Sequence, residues 1–220
     1  MLVWRFGCGG GVEDLGKMGW RDEVENTMKY FSSAKLSIIM SDSLNLGGKN
    51  QRKKQAGEYL VAAELCLRGF FATTFTGNMP DFDILAIDDH NNLKIIQVKT
   101  KTTDNWNLNA KKFLEIQTTP IENGLKQEVI GINNDINQSI IYVFVDFVSV
   151  GKNNPLEKIE FYLISTNDLQ QIVKNNYDNH LKKHQNIRPK NSKSFHTKIT
   201  KEEIVEFKDN WKIIYSQNHL

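Results

Sequence analysis

From residue 50 onward the apolar and polar positions alternate with periods that predict a succession of helices and strands. Residues 51–68 hold no proline, one glycine near the start and good helix formers, and Gly69 stands where a C-terminal stop belongs. Residues 70–76 are aromatic and β-branched and predict a strand closed by Gly77-Asn78. Two further apolar runs, 82–87 and 93–100, flank Asp88-Asp89-His90-Asn91-Asn92, which is turn chemistry, so the pair predicts a hairpin. A helix is expected over 109–117, then a weakly patterned connection over 118–138. Residues 139–149 form the strongest strand signal, an almost unbroken apolar run that suggests burial on both faces. Residues 158–165 predict another strand, and Thr166-Asn167-Asp168 the cap of a helix reaching about His184. A polar, basic tail follows, with a last apolar patch at 211–215. This order predicts an α/β fold: a mixed central sheet flanked by helices.

The first 39 residues are patterned differently. Six glycines lie scattered among charges, and only 23–32 shows a short helical period. Met40 opens a polar run and reads as a second start. Residues 1–39 are therefore expected to be a leader, poorly structured or outside the native domain. The domain proper is 40–220, with a core over about 55–165 and a C-terminal helix and basic tail over 166–220.

Composition narrows the class. In 220 residues, 40% hydrophobic and 10% aromatic content excludes a wholly disordered chain. Cys8 and Cys66 supply neither a disulfide framework nor a cysteine zinc site, which makes a reducing cytoplasm the expected location. Cys66, on an apolar helix, is expected to be a core thiol. The longest apolar stretch, 140–150, contains Asp146 and is too short to span a bilayer, so no membrane is expected. His180 and His184 share a helix face, but Lys182 and Lys183 between them disfavour a bound cation. Gly47-Gly48-Lys49 lacks the rest of a phosphate-binding loop and reads as a flexible lead-in. No organic cofactor is implied.

The candidate chemistry comes from charged residues placed where apolar ones would be expected. With a symmetric turn at 88–92, opposed positions of the hairpin sum to 180. Asp83 then faces Gln97, and Asp81 faces Lys99, with all four on one face of the strand pair. On the preceding helix, Val61, Ala62 and Leu65 lie within about 60° of Glu58 on the helical wheel, so this carboxylate points toward whatever the helix packs on. Glu64 differs, since Arg68 at i+4 offers an ordinary salt bridge. Carboxylates with an amide oxygen and a backbone carbonyl suit a hard cation, Mg2+ or Mn2+, with waters retained. A lysine beside such an ion can orient or deprotonate an attacking water and steady a phosphate in transfer. Each residue also has a plainer reading: Asp81 after Pro80 as turn chemistry, Lys99 as a solvated edge lysine, Glu58 as a first-turn acid paired with Lys54.

At these positions the sequence resembles the PD-(D/E)XK nuclease superfamily. The resemblance lies in Glu58, in Pro80-Asp81-Phe82-Asp83-Ile84-Leu85-Ala86 and in Gln97-Val98-Lys99, and it covers about 55–150. It implies a restriction-endonuclease-like αβββαβ core and Mg2+- or Mn2+-dependent hydrolysis of DNA. Family members include restriction endonucleases, junction resolvases and repair nucleases, and the Gln-x-Lys form is similar to the branch containing methyl-directed restriction enzymes. Carried over, Asp83 is the main metal carboxylate, Gln97 and the Val98 carbonyl complete the inner set, Lys99 serves the water, and Glu58 holds a metal-bound water or a second ion. Two departures stand out. Gln97 replaces the second acid and so weakens the metal's hold, and both Asp81 and Asp83 fit the motif. The second expectation, a non-catalytic nucleic-acid-binding module on the same fold, accommodates Gln97 equally well.

Charge distribution bears on the expected partner, DNA. The formal net charge is only +2, from 28 basic and 26 acidic side chains. Yet Lys49, Arg52, Lys53 and Lys54 form one acid-free run and residues 179–201 a second with seven basic side chains. Without those eleven, 17 basic side chains face all 26 acids. The first run precedes Glu58 and could meet a phosphate backbone. Lys101 and Trp106 complete the candidate contacts, Trp106 either by stacking on a base or as a core anchor. Cutting both strands of a duplex needs two sites, which leaves a homodimer open.

Overall fold

The computed structural model describes residues 46–75, 81–101, 104–149 and 156–215. The leader 1–39, its expected short helix over 23–32 and the expected domain start at Met40 lie outside them. Helix α1 (Leu46–Leu67) begins earlier than expected and carries Gly47-Gly48, which is therefore not a flexible lead-in. Once a helix is nucleated each further residue adds a hydrogen bond, enough to carry two poor helix formers at its end. Gly69 ends the helix as expected: it adopts φ +87°, a left-handed conformation costly for any residue with a Cβ, and its N–H reaches the Cys66 carbonyl at 3.1 Å.

Strands β1 (Phe70–Thr74), β2 (Ile84–Asp88) and β3 (Leu93–Thr100) follow as an antiparallel meander. The β2–β3 register pairs Ile84 with Ile96 and Ile87 with Leu93, the sum-to-180 pairing expected from the symmetric turn. Asp88 organises that turn, its Oδ1 accepting from the His90 and Asn92 N–H groups at 2.9 and 2.8 Å. Strands β7 (Ile140–Ser149) and β8 (Leu156–Ser165) complete a five-stranded mixed sheet ordered β1-β2-β3-β7-β8, with β3 and β7 parallel.

The crossover from β3 to β7 departs from expectation. Instead of a helix over 109–117 it contains strand β4 (Trp106–Asn109), a single helical turn α2 (Ala110–Phe113), and the antiparallel hairpin β5 (Leu114–Ile121) and β6 (Gly124–Ile132). The β5 side chains after Leu114 are mostly exposed, so no buried face marks the period of the strand in the sequence. Helix α3 (Thr166–Lys183) is capped one residue earlier than expected: the Ser165 Oγ accepts from the Asp168 N–H at 3.1 Å. Strand β9 (His196–Ile199), in the tail, returns to pair with β4.

The two faces of β7 explain its unbroken apolar run. Ile141, Val143 and Val145 pack under α1 with Val61, Leu65, Ile96 and Val98, while Ile140, Tyr142 and Phe144 pack under α3 with Leu169, Val173 and Tyr177. A mixed sheet sandwiched by helices is thus an α/β fold, as predicted. Cys66 is exposed rather than buried in the core, because it lies about 100° around the helix from Leu65 and off the Val61–Leu65 stripe. Among the described residues, no helix is long and apolar enough to cross a membrane.

Candidate active site

Beyond the last ladder pair, Ile84 with Ile96, the two strands of the hairpin part, and Asp83 fills the gap with its side chain. The Asp83 N–H still donates to the Ile96 carbonyl at 2.9 Å, while its Oδ2 accepts from the Val98 N–H at 2.7 Å and from the Gln97 Nε2. In an antiparallel edge the N–H and C=O of one residue point to the same neighbour. The Val98 carbonyl is therefore turned to the Asp83 side as well.

Helix α1 brings Glu58 to this spot by crossing β3 at very short range. A Cβ on Gly57 would stand 2.0 Å from the Thr100 Oγ1 and 3.2 Å from its Cβ, so only glycine permits the approach. Glu58 follows it in the chain. Burial and the nearby Asp83 carboxylate raise the Glu58 pKa above its ordinary value, with Lys99 and Lys54 opposing them. Lys99 is half-buried. Desolvation pushes its ammonium below the ordinary lysine range against the pull of Asp83, with Lys112 and Lys54 adding to the depression and Glu58 opposing it. Glu58, Asp83, Gln97 and Lys99 thus meet at one end of the β2–β3 hairpin, and Lys54 lies near enough to feel them.

Asp81 is set apart from this group. Its Oδ1 meets the Lys112 Nζ at 3.2 Å at the exposed rim. Beside it opens a hollow of about 230 Å³, lined in part by Asp81, Lys112, Asn133 and Asp135. The ladder ends at Ile84 with Ile96, and Asp81 pairs with Lys112 rather than with Lys99, its partner in the expected register. Of the basic run on α1, Arg52 and Lys54 are exposed, and Lys49 and Lys53 half-buried.

Two expected nucleic-acid contacts are corrected. Trp106 is only 1% exposed, donates from its Nε1 to the Val145 carbonyl at 3.2 Å, and packs edge-on against Phe144 and Tyr162. It is the core anchor and has no face to offer a base. Lys101 pairs with Asp146 at 3.0 Å and lies 5.2 Å over the Trp106 ring, so its charge is already met inside the fold. The expected Glu64–Arg68 salt bridge is formed.

Sequence reasoning missed two residues here. Lys112 sits on α2, inside the crossover whose structure was not legible, and nothing but its charge marks it. Tyr142 stands beside Gln97 in the β3–β7 register. Its hydroxyl is buried without a hydrogen-bond partner, and burial, Asp81 and Asp83 all raise its pKa. The one polar tip in the first half of the 140–150 run was the available signal.

An oxygen-rich donor set suits a hard divalent cation. Asp83, Glu58 and the Val98 carbonyl could form such a set, joined by the Gln97 Oε1 once its amide turns from donating to Asp83, and a cation between Glu58 and Asp83 would relieve their mutual repulsion. Among the described residues there is no group of three or more His, Cys, Asp or Glu placed to hold a metal ion, so an ion at this spot would take its remaining ligands from water.

No protein-family model and no curated protein matches the chain. A solved structure of a bacterial homing endonuclease, I-Ssp6803I, aligns over 74% of this chain and 91% of its own, with a TM-score of 0.36 and 11% identity. A likeness that slight assigns neither fold family nor activity.

Proposed function

We propose that the protein is a Mg2+- or Mn2+-dependent endonuclease of the PD-(D/E)XK kind that hydrolyses DNA phosphodiester bonds in restriction or repair. The observation carrying this reading is the meeting of Asp83, Gln97 and Lys99 at the open end of one hairpin with Glu58 delivered from α1 through the Gly57 contact. Asp83, the Gln97 Oε1 and the Val98 carbonyl would hold the ion, with Glu58 acting through a bound water. Such an ion supplies Lewis acidity, lowering the pKa of a water and neutralising phosphate charge. Lys99 positions the attacking water at its Nζ. Its lowered pKa leaves the amine neutral, and so free to take a proton, more often than in a solvated lysine. Two copies acting together would cut both strands.

Cleavage of linear, branched, single-stranded and methylated DNA with Mg2+ or Mn2+ tests the reading. Asp83→Ala should reduce cleavage to background, and Lys99→Ala should lower it by about 10²–10⁴-fold, both variants remaining folded at the assay temperature by circular dichroism. Wild-type rates in both variants would remove the assignment.

One observation favours the second reading, a binding module that has given up catalysis. The Gln97 amide donates directly to Asp83, satisfying the carboxylate without an ion. Calorimetric titration with Mn2+ separates the two: an endonuclease gives a binding isotherm that Asp83→Ala abolishes, whereas a binding module gives none.

A further inference from the structure

Away from the hairpin, a second hollow of about 370 Å³ opens between α3 and β9. His180 of α3, Arg188 of the turn that follows, and His196 and Lys198 of β9 line it, with Tyr177 beneath and Glu203 as its one acid. Glu203 is already engaged, its Oε2 accepting from the Thr200 N–H at 2.7 Å. Arg188 lies over the Tyr177 ring, 5.3 Å from its centroid. That ring is fixed in turn, because its hydroxyl donates to the Gln127 Oε1 at 2.5 Å and reaches the Ser194 carbonyl at 3.3 Å. Among the described residues, neither Arg188 nor Lys198 has an ion-pair partner.

The hollow therefore carries an excess of positive charge, Arg188 and Lys198 against the single carboxylate of Glu203. That charge is also felt locally: burial first, then Arg188, His184, Lys183 and Lys198, push His180 below the ordinary histidine range. Cations that outnumber the acids of a concavity repel one another and favour an anion there.

Register ties this hollow to the hairpin site. In the β4–β9 pair Leu108 and Thr197 face inward, which leaves His196 and Lys198 on the exposed side, about 6.6 Å apart along the strand. His196 opposes Asn109, the residue whose side chain caps α2. Lys111 of α2 reaches over Phe195, the neighbour of His196, at 5.4 Å, and the next residue, Lys112, meets Asp81 at the rim of the candidate site. Basic side chains thus stand on successive elements, β9 and α2, between the hollow and the hairpin.

We propose that this hollow and the strip leading from it hold the sugar-phosphate backbone of DNA, away from the point of cleavage. The location of cleavage rests on the endonuclease reading; the binding does not. Arg188 and Lys198 in the hollow, with the polar edge of His196 beside them, suit a phosphate backbone, and an acidic protein surface is the competing occupant.

Fluorescence anisotropy of the full chain with labelled duplex and single-stranded DNA in EDTA, across a salt series, tests the proposal. The double variant Arg188→Ala/Lys198→Ala should bind DNA about tenfold or more weakly and show a salt slope reduced by about 2, one for each phosphate no longer neutralised. Since Arg188 packs on Tyr177, the exposed pair His196→Ala/Lys198→Ala leaves that packing intact and should weaken binding with a salt slope reduced by about 1, for Lys198. Wild-type affinity and slope in both double variants would overturn the proposal, as would DNA failing to bind while poly-glutamate does. If the wild type cleaves DNA and the double variants bind and cleave normally, the binding surface falls and the endonuclease stands. If the hollow binds DNA and no metal supports cleavage, the endonuclease falls and the surface stands.

Discussion

A tyrosine hydroxyl buried with nothing to bond costs about 1–3 kcal/mol relative to one that is paired. Tyr142 has such a hydroxyl, and it sits next to Gln97 across the parallel strands. Its ring is well used: Phe113 packs against it with centroids 5.6 Å apart. Removing only the oxygen keeps the packing and relieves the unpaired group. Tyr142→Phe is therefore expected to unfold in urea at the same or a higher midpoint, with a gain on the order of 1 kcal/mol. A loss of that size would show that the hydroxyl is bonded after all. The Gln97 amide and the Tyr142 ring also show how little one polar residue reveals alone. Gln97 became informative in the sequence only once the hairpin register placed it across from Asp83.

Among elements, the tail is held to the sheet by charge as well as by apolar contact. Glu160 of β8 is buried and receives Lys158 and Lys208 at 2.8 Å each, with Lys201 and the Tyr162 hydroxyl completing the group. Burial alone would raise its pKa, but these four donors together hold the carboxyl well below the usual carboxylate range. The sign follows from linkage: the folded chain releases this proton more readily than the unfolded one. The stabilisation is thus present above pH 4.5 and is lost as pH falls below it. Because the three lysines are partly exposed, screening reduces the value of the cluster, and Glu160→Gln should cost about 1–3 kcal/mol at neutral pH. The variant should also show a flatter acid limb in unfolding curves taken from pH 7 to pH 3. An unchanged limb would mean that the cluster contributes nothing.

Most elements legible in the sequence have partners close by in the chain; β7, which pairs with the distant β3, was legible instead from its own unbroken apolar run. The β2–β3 hairpin was readable down to its register because Asp88 and Asn92 close the turn locally. Helix α1 was readable from its stripe and from Gly69. Strands β4 and β9 were not, since each is four residues long and is stabilised by the other across most of the domain. The β5–β6 hairpin was hidden by its exposure, and Lys112 was hidden with it.

For the whole molecule, this same contrast separates the two candidate functions. Glu58, Asp83, Gln97 and Lys99 all lie between α1 and the end of β3, a span built of successive local contacts. The basic strip exists only when β9 has returned to β4, with His196 opposite Asn109. Closing a long loop costs entropy before any contact repays it, so distant pairings form late. Pulse-labelled hydrogen exchange during refolding should show the Val98 amide, bonded to Asp83, protected before those of Leu108 and Thr197; the reverse order would refute the sequence of events. The meander with its carboxylates and lysine is then in place while the tail is still seeking its strand. For a chain growing from its N-terminus, the chemistry would be assembled before the surface that grips a substrate, and the last strand to dock would decide when the two begin to work together.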